Sequence, residues 1–135
     1  MAGFEKVSAI SMTVGAAIAQ YKFLEMGNAG IVAAAGAVGD DIVGISLEAR
    51  SAADITAGNT KIPVAVPDGC KCLILSGAAI DISAAVVQLT SDSSGRAIAV
   101  AAATDRVQGY ALQSATAADQ VIEMLFLKAG SHRDA

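Results

Sequence analysis

Along the chain, apolar runs of about 5–8 residues alternate with short clusters of Gly, Asp, Asn and Ser, a pattern of strands bounded by turns. QYKFLEM runs into the turn GNAG; IVAAAG follows, then the polar break AVGDD, IVGISLEA, a Ser/Ala/Asp/Gly-rich loop and KIPVAV. After IPVAVPDGCKCLIL, which reads as two strands broken at Pro67-Asp68-Gly69, the plan recurs. AVVQLTS meets the turn DSSG, then RAIAVAA, ATD, RVQGYALQS, the loop ATAAD and QVIEMLFL. Alternation is clear where Val86, Gln88 and Thr90 oppose Val87 and Leu89, as the period of two in a strand requires. No helical stripe runs more than about two turns without a Gly, Pro or β-branched cluster, against about three for a mean helix. The best helical candidate is GAAIAQYKFLEM, with a short turn of helix over residues 16–20 entering a strand over 21–26.

The two passages are copies of one plan. At an offset of 65 residues Gly44 lies over Gly109, Gly30 over Gly95 and Ala52-Ala53 over Ala117-Ala118. GAAI recurs at 15–18 and 77–80 with an offset of 62, the difference a loop insertion gives. Two copies are too few for a solenoid and fit a pseudo-twofold body of two similar β units. The pattern predicts an all-β fold, a small β-barrel or β-tulip-like domain with an extended N-terminal arm, in preference to α+β. The expected divisions are an arm over 1–14, a β domain over 15–128 with repeats at 15–66 and 77–127, and a tail over 129–135.

Composition narrows the functions. Hydrophobic residues are 54% of 135 and charged ones only 16%, which argues against disorder and leaves apolar surface for a partner. Aromatics are 4% and Trp is absent, so the core is built from Ala, Val, Ile and Leu. Abundant Ala suits strands where sheets approach closely and side chains alternate in size. The net charge is −4 without a Lys/Arg run, so neither nucleic acid nor an anionic membrane is an expected partner. MAGFEKVSAISMTVGAAIAQYK imitates a signal peptide, but Ser8, Ser11 and Thr13 interrupt its apolar run and Glu5 sits in the basic region. The chain is expected to be soluble.

Candidate chemistry is sparse. Cys70 and Cys72 share one face of a strand, poorly placed to bridge each other, and a metal would need further ligands; two reduced cysteines beside the core are expected. The one histidine, His132, lies in the tail GSHRDA. Asp40-Asp41 and Asp92 sit in turns, where carboxylates bond local backbone. GNAG is not followed by a helix with GK[ST], and no serine has a GxSxG setting. No catalytic, metal-binding or cofactor-binding residues are expected, and the chain does not read as an enzyme.

The order of Gly30-Ile31-Val32-Ala33, Asp41 to Ala49, Gly95 to Val100, Asp105 to Leu112 and Val121 to Leu127 resembles the capsid decoration, or cement, proteins of tailed bacteriophages. The likeness spans residues 14–127 through short degenerate motifs. It departs from that pattern at Cys70-Lys71-Cys72, which replaces a Val/Thr-rich strand, and at the GSHRDA tail. The resemblance implies a virion protein on the outer surface of a phage head, made in the host cytoplasm. It also implies homotrimers that clamp neighbouring major capsid subunits, with no catalytic site.

For such a role the arm is the capsid-interface candidate, with Phe4, Val7, Ile10, Met12 and Val14 as apolar anchors that add a strand to a sheet edge. The competing reading makes it an ordinary first strand. Other functions stay open: a head fibre base, a tail-tube component, or a small-ligand or glycan-binding β module. The shortage of aromatic residues weighs against the last.

Overall fold

The computed structural model describes residues 8–34, 42–102 and 105–127. Among the described residues ten short strands form two antiparallel five-stranded sheets. The first contains β1 (Ala9–Thr13), β2 (Phe23–Met26), β3 (Ile31–Ala33), β4 (Gly44–Ser46) and β5 (Lys61–Ala65), in the order β1-β5-β4-β2-β3. The second contains β6 (Lys71–Leu75), β7 (Gln88–Ser91), β8 (Ala97–Ala99), β9 (Gly109–Ala111) and β10 (Val121–Phe126), in the order β6-β10-β9-β7-β8. The two orders are identical position for position.

The same strand order thus recurs in both sheets. β1 is the counterpart of β6, and Ile10↔Val64 in one sheet answers Cys72↔Met124 in the other. Even the isolated bridges recur: Val14–Ile31 with Ser76–Ala97, and Ile18–Arg50 with Ile80–Ala115. The glycines that anchor the alignment have a shared physical cause. A Cβ on Gly44 would strike Val64 Cγ1 and the Ala65 carbonyl; on Gly109 it would strike the Leu125 carbonyl and Met124 Cε. Each unit needs a residue without a side chain where β4 or β9 passes close beside its neighbour.

Two expectations require correction. Neither sheet closes into a barrel: its two edge strands meet only at one parallel bridge, Val14 to Ile31 or Ser76 to Ala97, so the body is sandwich-like. The expected helical turn over 16–20 does not form, and Ile18 instead bridges Arg50. The helix that does form is α1 (Ala52–Thr56), in what reads as a loop. Ser51 caps it by accepting from the Asp54 N–H, while the Asp54 carboxylate accepts from the Ser51 N–H at 2.8 Å, a capping box.

The core has two compartments. In the first unit Val14, Ile18, Leu24, Ile31, Ile62 and Val64 pack together on the inner face of the first sheet. The matching residues of the second unit, Ile80, Leu89, Ala97, Ile122 and Met124, belong to a larger core. That core also takes in Phe23, Ile45 and Ala65, which lie on the outer face of the first sheet. The layers thus run from the first unit's core through its sheet and the second unit's core to the second sheet. Phe23 and Phe126 meet across this boundary with ring centroids 6.1 Å apart and planes tilted by 50°.

Candidate interaction surfaces

The residues with reactive side chains sit in structural settings. Cys72 is buried and Cys70 half-buried, and both are free thiols. Burial pushes the Cys72 thiol up to about 12, so it stays protonated and unreactive. The Cys70 thiol is raised first by its hydrogen bond to Asp68, whose own carboxyl that bond and one from Ser8 hold low. Among the described residues no three His, Cys, Asp or Glu side chains gather as a metal site would require. No helix among them is long and apolar enough to cross a membrane. Asp40, Asp41 and His132 lie outside the described residues.

Asp92 serves the boundary between the units. Its carboxylate accepts from the Ser94 and Arg96 backbone N–H groups, both at 2.8 Å, and pairs with Arg96 Nε at 2.9 Å. Arg96 reaches on to Asp119 at 3.1 Å, and these partners, Asp119 first, hold its guanidinium pKa above the ordinary value. The turn so fixed is pressed onto the first unit: Phe23 N–H donates to the Gly95 carbonyl at 2.7 Å and Lys22 Nζ to the Ser94 carbonyl at 2.9 Å. Gly95 has a φ of 79°, and a Cβ there would come within 2.8 Å of the Phe23 carbonyl oxygen. Beside it, the Leu75 N–H on edge strand β6 donates to the Tyr21 carbonyl at 2.9 Å, with Tyr21 at a φ of 62°.

Of the five sequence-based interface residues, Ile10, Met12 and Val14 lie among the described residues and share one face of the first strand. Phe4 and Val7 lie outside the described residues. Val14 is buried and Met12 packs against the first unit's core, so these two side chains hold the fold. Ile10 is 52% exposed although it belongs to the inner face of its strand. β1 does lie at a sheet edge, and four of its five residues are exposed.

Two apolar surfaces escaped the sequence reading. One is the outer face of the second sheet, where Tyr110 and Leu125 are half-buried while Leu112 is 43% and Val86 77% exposed. A groove of about 610 Å³ runs between Ile82, Val86, Tyr110, Leu112 and Leu125. The other is the open end of the first unit's core, where the inner-face residues Ile10 and Met26 are 52% and 61% exposed. Their counterparts at the end of the second unit's core, Cys72 and Ser91, are 5% and 1% exposed. The signal was available in the repeat: a face whose twin is buried but which is itself apolar and exposed offers surface to a partner.

Comparison of the sequence with family models and with curated proteins finds no match. Among solved structures the fold is similar to the crystal structure of the head fiber gp8.5 N base in bacteriophage phi29. The TM-score is 0.65 at 16% identity, over 92% of this chain and 97% of that one. The likeness is one of fold, and it runs through both units rather than one.

Proposed function

We propose that the chain is a structural protein of a phage virion, borne on the outside of the head. The observation that carries this reading is the extent of the fold likeness, over 92% of this chain and 97% of a head fiber base. The surfaces support it. Among the described residues Cys72 is buried and Asp92 is bound into a turn, while apolar faces and a sheet edge, the means of assembly, face outward.

In the finer version of the proposal, protomers bind major capsid subunits as homotrimers and clamp them. Phe4 and Val7, leading into edge strand β1, are the capsid-facing anchors. Each contact is weak alone, but a trimer gripping several subunits gains about 10²-fold or more through effective concentration. A second reading, the base of a head fibre, is favoured by the same neighbour and differs in carrying a projecting part beyond the body.

The test is to mix the purified protein with mature heads lacking it, follow co-sedimentation, and image the particles by cryo-microscopy. Saturable density on the outer surface supports the proposal; no binding at any occupancy sinks it. Deleting residues 1–14 would remove β1 and Val14 with it, so the anchors are tested by deleting 1–7 alone. Loss of head binding by a folded body is the expected result, and unchanged binding removes Phe4 and Val7 from the interface.

A further inference from the structure

We infer that copies of this chain dock head to tail, the outer face of the second sheet of one protomer covering the open core end of the first unit of the next. The argument rests on the contact that already exists inside the chain. There the outer face of the first sheet, through Phe23, Ile45 and Ala65, closes the end of the second unit's core. Each half of that contact has a twin whose apolar residues stay half-exposed or exposed. The twin of the covering face is Gln88, Tyr110 and Leu125, paired in the same register on β7, β9 and β10. The twin of the covered end carries Ile10 and Met26, exposed where Cys72 and Ser91 are sealed.

These two exposed surfaces, at opposite ends of a stack, are the counterparts of two surfaces that already fit each other. Repeating the internal operation between chains joins them, and a head-to-tail contact of this kind closes into a ring or runs on as a chain. The edge strand agrees. Val14 N–H bonds Thr60 O within the first sheet, so alternation along β1 turns the Thr13 N–H away from β5. Thr13 occupies the position of Leu75, whose N–H crosses to Tyr21, and the twin of Tyr21 is the exposed Val86. The contact between chains would be the weaker of the two. Gln88 stands where Phe23 lies and Val66 where Phe126 lies, so the aromatic pair at its centre is missing.

The occupant is thus a second copy of this chain, and the inference stands whether or not the assembly sits on a phage head. The test uses two variants of the full chain, Val86→Asp to spoil the sheet face and Ile10→Asp to spoil the core end. Met26→Asp replaces the latter if it does not fold by circular dichroism. Sedimentation should show wild type assembling with concentration, and each variant alone requiring at least ~10-fold higher concentration to do so. An equimolar mixture of the two should form a 1:1 pair, because each retains the face the other lacks. Three results overturn the inference: a wild type that stays monomeric, a folded variant that assembles as wild type does, or a mixture that stays monomeric. In each case head binding is measured separately, so the inference can fail while the virion reading survives.

Discussion

The outer faces of the two sheets occupy the same place in the same topology, yet one is sealed and the other open. On the first, Phe23, Ile45 and Ala65 are wholly buried; on the second, Tyr110 and Leu125 remain half-exposed beside Val86 and Leu112. The inner faces diverge less: Ile18 and Ile80, Leu24 and Leu89, Ile62 and Ile122 are near-identical pairs, all buried. A repeated unit keeps the residues that fill its own core and changes those that meet a neighbour. What distinguishes the copies is therefore a record of what each one touches.

The largest effect should come from the aromatic pair at the boundary. Phe23→Ala is expected to cost about 3–5 kcal/mol by urea unfolding, through lost transfer energy and the cavity left behind. Tyr110→Ala, on the half-exposed twin face, should cost about 1 kcal/mol in the monomer. Equal losses would mean that the two faces are not differently covered.

Next in size is the turn pressed on Phe23. Gly95→Ala combines a left-handed backbone with a clash against the Phe23 carbonyl, and about 2–3 kcal/mol is expected. Gly69→Ala has a similar φ of 87° but meets nothing within 4 Å, so strain alone should cost about 1 kcal/mol. The difference between the two measures the contact between the units.

The core ends can be compared by thiol labelling. Cys72 should resist iodoacetamide in the native state, whereas Ile10→Cys, at the twin position, should react as an open thiol by mass spectrometry. Because the Cys72 pKa is raised on folding, its contribution is complete below the unfolded value near 9.0 and is lost as pH rises toward about 12. Stability should therefore fall through that alkaline range in wild type and fall less in Cys72→Ala.

The smallest effect concerns α1, the one helix among the described residues, whose place in the second unit is taken by turns. Ser51→Ala should cost about 1 kcal/mol or less, seen as faster amide exchange in α1. The Asp54 carboxyl is held below its ordinary value, chiefly by the Ser51 N–H. The cap is thus intact above the usual carboxylate range and lost as pH falls through the lowered value. Exchange in α1 should quicken there first if the capping box holds it.

Much of this architecture is visible in the residues. Gly44 and Gly109 mark both units, Pro67-Asp68-Gly69 separates them, and the alternation over 86–90 places β7. The short helix was less legible because five residues give no periodicity, although Ser51 and Asp54 spell its capping box. β1 escaped the repeat because AISMT and KCLIL share no residue at matched positions; only their pairing with β5 and β10 makes them equivalent. Of the interface residues, Val14 carried no sequence mark separating it from Ile10, and the structure buries one and exposes the other.

The sequence by itself determined that the chain is two β units with largely aliphatic cores. Period-two alternation and turn chemistry are local and survive in any context. Only the tertiary structure decided which faces of those units meet and which stay open. Burial of a face is a property of the layer laid on it, and that layer comes from residues distant along the chain.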